Sequence, residues 1–299
     1  MKTGKQSDKE PSILITVDVE DYFHVENLRP IYPAESWESC DLRVGSCVHR
    51  LLDLFEKFNV TATFFVLGWI AERCPGLVRE IKSLGHEVAS HGYMHTLNFE
   101  QSPESLHEDL YRSKALLEDI IGETIYGYRA PCFSITENLV ESLGALGFTY
   151  DSSYNSFAMN KRYGNGNGCF QELKENFMVA KNGIVELPVS NLGAGRFVIP
   201  WSGGGYFRFW PLPLFEAGVE RIIRNDGRYI FYCHPWEVDP AQPRADGIGW
   251  LNRFRHYVNI DKTLDRMNHF FLRFNDCSFV SCRTYLKDSG TSLHNDIRK

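Results

Sequence analysis

Four groups of polar residues stand directly after short apolar runs, and their side chains are of types that bind metal ions or transfer protons. The first group is Asp18-Val19-Glu20-Asp21, in which three carboxylates within four residues repel one another unless cations compensate them. Asp18 and Glu20 point to the same side of an extended backbone, which suits a general base beside a metal ligand. A solvated acidic loop is the alternative interpretation of this group.

Two histidines, His91 and His95, stand four residues apart after the third apolar run. If the chain turns helical there, both imidazoles lie on the same side and can reach one ion at about 2.0–2.1 Å. Two histidines and one carboxylate with open coordination positions are typical of a catalytic metal site that activates water. Taken alone, the spacing fits one core histidine and one surface histidine equally well.

The two remaining groups supply a cation and a proton donor. Arg129 follows the fourth apolar run, where its guanidinium can hold a carboxylate ionised and oriented. Pro131 then fixes a turn that can point the Cys132 amide at a developing oxyanion. His234 precedes Pro235 and can donate a proton to a leaving group near neutral pH. A surface salt bridge is the alternative for Arg129, and a structural role is the alternative for His234.

Strand and helix patterns alternate along most of the chain, which predicts βαβ units, a parallel sheet and a barrel. In such a barrel the carboxyl ends of the strands form the reactive face, so the four groups are expected to meet there. The predicted strands are 13–17, 62–67, 87–90, 125–128, 149–150, 184–188, 229–233 and 278–281. The predicted helices are 48–57, 71–83, 102–121, 137–146, 213–224 and 261–272.

Three stretches interrupt this alternation. Residues 155–169 and 194–208 are rich in Gly, Asn and aromatic residues, a composition typical of loops over a site, and 239–257 is predicted to be a long polar connection. The sequence contains no repeat or linker, so we predict one domain over residues 1–299. Its core spans about 12–286, with a C-terminal extension from about 240 and a frayed tail at 287–299.

Composition excludes several classes of function. Lys plus Arg is 32 and Asp plus Glu is 38, a net charge of −6, and without a basic stripe no nucleic-acid partner is expected. The polar start leads into an apolar strand too short for a signal sequence or a membrane span, which predicts a cytoplasmic protein without a transmembrane segment. The eight cysteines contain no CxxC pair, and buried thiols in a reducing compartment are expected, with an oxidised pair as the alternative.

Five short motifs occur in a fixed order over residues 13–285: TVDVED (16–21), SHGYMH (90–95), RAPCF (129–133), YDSS (150–153) and CHPWE (233–237). Their set and order resemble the polysaccharide deacetylases of the NodB-homology type, carbohydrate esterase family 4. The resemblance implies an α/β fold, a distorted (β/α) barrel of about seven parallel strands. It also implies one divalent ion, usually zinc, with cobalt and nickel as alternatives. The implied reaction removes N-acetyl groups from an acetamido-sugar polysaccharide or its precursor and releases acetate.

By position, the resemblance implies Asp18 as general base, Arg129 as its partner and His234 as general acid. It implies His91 and His95 as metal ligands. The backbone N–H of Cys132 keeps the oxyanion role, because only that group is needed there.

The third metal ligand has two candidates. Val19 stands where the commonest form of the first motif has a second aspartate, so the ligand is Glu20 or Asp21. We favour Glu20 because it faces the same way as Asp18.

Four residues are predicted to bind the substrate, and some of them have alternative roles. Tyr206 and Trp236 are expected to stack on sugar rings, since their faces are flat and apolar, although simple packing is the alternative. Pro131 and Asp151 complete the predicted substrate-binding set. Asp151 can equally orient Arg129 or another catalytic group, or cap a turn.

The DVE form, the HPWE ending and the segment NRFRHY (252–257) are similar to a subgroup linked to exopolysaccharide production in bacteria with exosortase systems. This resemblance implies an acetylated amino-sugar glycan as substrate and a peripheral contact with polysaccharide-synthesis machinery. Two alternatives remain. The first is an allantoinase-like amidohydrolase that acts on a small cyclic amide in a closed pocket. The second is a non-catalytic glycan-binding barrel, which the complete set of base, ligand and acid candidates disfavours.

Overall fold

The fold is built from twelve strands and ten α-helices, in a computed structural model that describes residues 10–157, 162–164, 168–172, 177–194 and 197–290. The strands are β1 (Ser12–Val19), β2 (Thr63–Val66), β3 (Glu87–Ser90), β4 (Gly127–Tyr128), β5 (Tyr150–Asp151), β6 (Phe170–Glu172), β7 (Met178–Ala180), β8 (Val185–Glu186), β9 (Asn191–Ala194), β10 (Phe197–Pro200), β11 (Arg228–Cys233) and β12 (Ser278–Phe279). The helices are α1 (Val44–Lys57), α2 (Gly68–Arg73), α3 (Pro75–Ser83), α4 (Pro103–Ile121), α5 (Glu137–Ala145), α6 (Gly204–Phe209), α7 (Leu212–Asp226), α8 (Trp250–Tyr257), α9 (Thr263–Arg273) and α10 (Cys282–Asp288).

Seven parallel strands form a distorted barrel in the order β11-β1-β2-β3-β4-β5-β8. Strands β7 and β6 extend this sheet in antiparallel pairing, and β12 pairs with the first two residues of β1. Strands β9 and β10 form a separate antiparallel pair. The prediction of a distorted barrel with about seven parallel strands is therefore confirmed.

The two-residue period of β1 decides which of its side chains reach the site. Ile15, Val17 and Val19 are fully buried in the large core that also contains the surrounding helices. Leu14, by contrast, packs with Phe65 of β2 and with residues of β3, β5, β8 and β11, a cluster formed mainly by strands that fills the barrel interior. Thr16 and Asp18, which follow Leu14 by two and four residues, therefore face the barrel interior above this cluster.

Several helix ends follow directly from local sequence. The Ser102 side chain accepts a hydrogen bond from Ser105 N–H at the start of α4, with Pro103 at the first helical position. Thr136 caps α5 in the same way. Gly122 ends α4 with a φ of 68°, a conformation that glycine adopts without steric cost.

Some predicted elements are wrong. The single helix predicted over 71–83 is two helices, α2 and α3, because Pro75 has no N–H for a helical bond and disfavours helical geometry at Cys74, which has a φ of −127° and a ψ of 52°. The irregular stretch 194–208 contains β10 and most of α6, and the polar connection 239–257 contains α8. Part of the stretch 155–169, namely 158–161 and 165–167, lies outside the described residues.

The predicted tail is helical at Lys287 and Asp288, which end α10, and residues 291–299 lie outside the described ranges. All eight cysteines are free thiols. Among the helices of the described residues, none has the length and apolar composition needed to cross a bilayer.

Two carboxylic acids lie side by side inside the barrel wall. Asp151 of β5 is the register partner of Glu186 of β8, and both are fully buried. Burial raises the pKa of Asp151 to about 6, while burial and the neighbouring Asp151 raise the pKa of Glu186 well above its ordinary value. Since the folded chain binds these protons more tightly than the unfolded chain, the pair stabilises the fold at low pH. That contribution is lost as the pH rises through the folded pKa values.

Replacing one of the two acids with its amide should remove this loss. We expect Glu186→Gln to raise the melting temperature at about pH 8 by roughly 2–5 °C relative to wild type, with little change at about pH 5, because the amide cannot ionise. Thermal unfolding followed by circular dichroism across this pH range measures the effect. The matched control is Glu56→Gln on the exposed side of α1, and an equal rise in both variants would contradict the assignment to the buried pair.

Candidate metal and catalytic centre

The carboxyl ends of four neighbouring strands bring the predicted site residues together. Strand β1 carries Asp18 and is followed by Glu20, β3 is followed by His91, β4 by Arg129 and β11 by His234. In the sheet these four strands lie within the run β11-β1-β2-β3-β4, in which β2 contributes none of the five residues. The predicted convergence at the reactive face of a parallel barrel is what the structure shows.

Glu20, His91 and His95 form a cluster whose ligand atoms all lie within 4.8 Å of one another. Glu20 Oε1 lies 3.1 Å from His91 Nε2 and 3.0 Å from His95 Nε2. All three side chains are buried. Burial alone would raise the pKa of Glu20, but the nearby charges of His95 and His234 hold it well below its ordinary value.

This cluster has the donor set and the support that a divalent metal ion requires. The Nδ1 atom of His91 lies 2.7 Å from the carbonyl oxygen of Arg129, so Nδ1 carries the hydrogen and Nε2 keeps its lone pair for the cluster. His95 Nε2 is buried and has no hydrogen-bond partner in the described part of the chain. Two imidazole nitrogens and a carboxylate oxygen that converge in this way fit a catalytic zinc-type site with open positions.

The two histidines converge by a route that differs from the predicted one. The chain after His91 is not helical, and the positive φ values of Gly92 (76°) and His95 (53°) turn it instead. Asp109 of α4 holds this turn, since its carboxylate accepts hydrogen bonds from the N–H groups of Tyr93 and Met94 at 2.7 and 3.1 Å. Asp109 is a supporting residue that the sequence motifs did not reveal.

Asp21 has a different role from Glu20. One of its oxygens accepts hydrogen bonds from the N–H groups of Arg43 and Val44, at 2.5 and 2.7 Å, at the start of α1. The other accepts a hydrogen bond from Tyr22 N–H at 2.8 Å. The structure therefore places Glu20, and not Asp21, beside the two histidines.

Asp18 and Arg129 form a buried ion pair, with Asp18 Oδ1 2.8 Å from Arg129 Nη1. The other guanidinium hydrogen bonds go to the Thr16 hydroxyl and to the carbonyl and hydroxyl of Ser152. Ser153 accepts a hydrogen bond from the N–H of Ala130, the residue after Arg129, at 2.8 Å. The two serines of the YDSS motif thus fix the arginine, a function that was not assigned to them from the sequence.

His234 lies beside both Asp18 and the metal-ligand cluster. Its Nε2 is 3.9 Å from Asp18 Oδ2 and 3.8 Å from Glu20 Oε1, and 20% of its side chain is exposed. Burial favours the neutral ring, but Glu20, Glu237 and Asp18 outweigh it and raise the pKa of His234 to about 9. A protonated imidazole that is open to solvent beside a carboxylate can donate a proton to a leaving group.

The RAPCF segment forms a tight turn after Arg129. Pro131 is buried, and Cys132 and Phe133 have positive φ values of 51° and 60°. Burial raises the pKa of the Cys132 thiol far above its ordinary range, so the thiol is neutral and the side chain is no nucleophile. The role of the Cys132 backbone N–H toward an oxyanion stays a prediction.

The predicted substrate-binding residues differ in accessibility. Tyr206 lies on α6 and is partly exposed, whereas Trp236 is 7% exposed and packs between two imidazole rings. Asp151 has no exposed surface, and its carboxylate accepts a hydrogen bond from the Ser153 hydroxyl at 2.5 Å. A side chain without exposed surface cannot touch a glycan, so direct substrate binding by Asp151 does not fit the structure.

Comparison with known proteins divides the chain into two halves. Residues 5–150 match the family described as Polysaccharide deacetylase, and residues 152–287 match the family described as Domain of unknown function (DUF3473). The first match contains Asp18 and the metal-ligand cluster, and the second contains His234.

Curated relatives match over a limited stretch. The peptidoglycan deacetylase of Helicobacter pylori is 34% identical over 106 residues, which are 36% of this chain and 36% of that protein. The peptidoglycan-N-acetylglucosamine deacetylase PgdA of Listeria monocytogenes is 31% identical over 100 residues, 33% of this chain and 22% of that protein. The chain thus spans about a third or less of the length of these relatives.

Solved structures share the fold over nearly the whole chain. A polysaccharide deacetylase-type protein from Mycobacterium smegmatis superposes with a TM-score of 0.62 at 21% identity, covering 95% of this chain and 92% of that chain. A family 4 acetyl xylan esterase from Clostridium thermocellum, solved with a cobalt ion, has a TM-score of 0.50 at 14% identity, covering 96% of each chain. Residues 5–150 of this chain therefore match the polysaccharide deacetylase family, and the chain as a whole has the fold that these solved structures share.

Proposed function

We propose that this protein is a metal-dependent deacetylase that hydrolyses N-acetyl groups of an acetylated amino-sugar polysaccharide or its precursor and releases acetate. One observation carries the proposal: an arginine-paired carboxylate and a histidine lie 3.9 Å apart beside a cluster of two histidines and one glutamate. A general base, a general acid and a metal ion are the groups that metal-assisted hydrolysis of an amide uses.

Glu20, His91 and His95 would hold one divalent ion, for which we propose zinc. When bound, such an ion lowers the pKa of water and polarises a carbonyl oxygen. The related acetyl xylan esterase from Clostridium thermocellum was solved with cobalt, so cobalt is a second candidate.

Two side chains of the protein, Asp18 and His234, carry out the proton transfers. Asp18, oriented by its ion pair with Arg129, accepts a proton from the attacking water molecule. Water adds to the acetyl carbon, and the backbone N–H of Cys132 is proposed to donate a hydrogen bond to the resulting oxyanion. His234 gives its proton to the sugar nitrogen as the C–N bond breaks. Acetate and a free amine on the sugar are the products.

The substrate class rests on the relatives and on the motifs. The curated relatives are named for peptidoglycan and its N-acetylglucosamine residues. For this chain we propose an N-acetylated amino-sugar glycan of an exopolysaccharide, since the motifs DVE, HPWE and NRFRHY are similar to an exopolysaccharide-associated subgroup. A peripheral contact with polysaccharide-synthesis machinery is part of this proposal.

The first experiment measures acetate release. We expect the zinc-loaded protein to deacetylate N-acetylglucosamine oligomers at a rate that increases with chain length, because a polymer enzyme binds several sugar units. Asp18→Asn is expected to lower kcat by about 10²–10⁴-fold, the usual contribution of a general base. Its zinc content, measured by mass spectrometry, should equal that of wild type, since Asp18 is not a ligand.

Other outcomes separate the alternatives. Turnover of small cyclic amides without any dependence on oligomer length would favour the allantoinase-like reaction. Binding of oligomers without acetate release, in wild-type protein shown to hold one ion, would favour a glycan-binding barrel.

Variants of the adjacent residues Glu20 and Asp21 test which carboxylate binds the metal ion. We expect Glu20→Gln to lower the bound zinc by at least about 10-fold at a fixed free-zinc concentration, because an amide is a weaker ligand. Asp21→Asn should retain zinc and instead lower the melting temperature, because it weakens the hydrogen bonds that Asp21 makes to Arg43 and Val44. Loss of zinc in Asp21→Asn with retention in Glu20→Gln would reverse the assignment.

We also propose a cytoplasmic location, which the eight free cysteines support because unpaired thiols persist in reducing compartments. Fractionation of the native host, followed by immunoblotting against cytoplasmic and periplasmic markers, measures the distribution. We expect the protein in the cytoplasmic fraction or loosely attached to the inner face of the membrane. Recovery from the periplasm or medium would contradict this.

A further inference from the structure

His234 is held on the side away from the metal-ligand cluster by a carboxylate from its own segment. Its Nδ1 lies 2.8 Å from Glu237 Oε1, and the same oxygen accepts a hydrogen bond from the His234 backbone N–H at 3.1 Å. Its Nε2 points toward Asp18 and Glu20. One ring nitrogen thus faces the site while the other faces Glu237.

Glu237 is itself fixed by a buried arginine. Arg208 Nε donates a hydrogen bond to Glu237 Oε2 at 2.8 Å, and each side chain is 1% exposed. Arg208 Nη1 donates to the carbonyl oxygens of His256 and Val258, both at 2.8 Å, which ties the arginine to the end of α8. A Cβ atom at Gly204 would overlap the Glu237 carboxylate, so the glycine run makes room for it.

Stacked rings hold the imidazole plane. The Trp236 indole lies against His234 with ring centroids 5.2 Å apart and an interplanar angle of 21°. Its other face lies against His256 at 4.4 Å and 7°. His256 Nε2 in turn lies 2.7 Å from the Gln242 side-chain oxygen. The His234 ring is therefore restrained by packing as well as by its hydrogen bond.

The charge of Glu237 determines which nitrogen carries the hydrogen. Burial alone would raise the pKa of Glu237, but Arg208 and the hydrogen bond from His234 lower it to about 2. An ionised carboxylate only accepts hydrogen bonds, so Nδ1 of His234 must be the donor. Nε2 is then the nitrogen that exchanges a proton with the site.

We propose that Glu237, fixed by Arg208, is the positioning residue of His234 and keeps Nε2 aimed at the departing sugar nitrogen. The inference rests on the proposed deacetylase function. The proposal assigns a function to residues 152–287, which match a domain of unknown function. This half of the chain would supply the proton donor and orient it. Asp151, the other carboxylate considered from the sequence, is instead bonded to Ser153.

Asp239 offers a matched control two residues further along the chain. It is 2% exposed and forms a bidentate pair with Arg43 at 2.5 and 3.0 Å, but its side chain does not contact His234. Glu237→Gln and Asp239→Asn therefore remove the same kind of buried charge from the same segment. Only Glu237→Gln disturbs the histidine, because glutamine has one acceptor oxygen where Glu237 uses two.

The kinetic test compares both variants as zinc-loaded enzymes on the best oligomer. We expect Glu237→Gln to lower kcat by at least about 10-fold with KM within about 2-fold, because the proton is needed in the transition state rather than for binding. Glu237→Asp, which keeps the charge, should recover part of the loss, and Asp239→Asn should stay within about 3-fold of wild type. Equal losses in Glu237→Gln and Asp239→Asn, or an effect on KM alone, would overturn the proposal.

A spectroscopic measurement on the wild type does not depend on activity or on how well a variant folds. Nitrogen NMR of ¹⁵N-histidine-labelled, zinc-loaded protein, with the His234 signals assigned by His234→Gln, shows which ring nitrogen is protonated. We expect a hydrogen on Nδ1 at every pH at which the protein is folded. A neutral ring with its hydrogen on Nε2 would overturn the proposal. If wild-type protein releases no acetate while Nδ1 is protonated, the proposed function fails and the positioning by Glu237 stands.

Discussion

The buried ion pair between Asp18 and Arg129 is the interaction on which the rest of the site depends. A guanidinium without exposed surface is costly unless every donor is paired, and here the donors reach β1, through Thr16 and Asp18, and the residue after β5. The Arg129 carbonyl also accepts the His91 hydrogen bond that turns Nε2 toward the metal-ligand cluster. One residue therefore links the base, the ligand set and the register of the neighbouring strands.

The site is shared between the two halves of the chain. The first half contributes the carboxylate base and all three members of the metal-ligand cluster, whereas the second contributes His234 and the residues packed behind it. Strand β11 brings the halves together, because it pairs with β1 over six residues from Ser12 to Val17. His234 can lie 3.9 Å from Asp18 only because these strands are adjacent and parallel, which places both carboxyl ends at one edge.

Local sequence predicted the elements well where one physical rule governs them. Short apolar runs marked the strands. The helices predicted over 102–121 and 137–146 begin within one residue of α4 and α5, whose first turns are capped by Ser102 and Thr136. It failed where rules compete, as at Pro75, which interrupts an otherwise continuous helical pattern, and in 239–257, where a polar composition hid the helix α8. The turn that joins His91 to His95 was also missed, because Asp109 stabilises it from a helix further along the chain.

The sequence by itself determined the order of the site residues and their places at strand ends, since strand period and strand ends are local properties. Only the tertiary structure decided which carboxylate does what. Asp21 and Glu20 are adjacent in sequence, yet one caps α1 at Arg43 and Val44 while the other meets two histidines about 70 residues away. Likewise, the hydrogen bond from Arg208 fixes the position of the Glu237 carboxylate. Hydrogen-bond partners across such separations are set by packing, which no local pattern encodes.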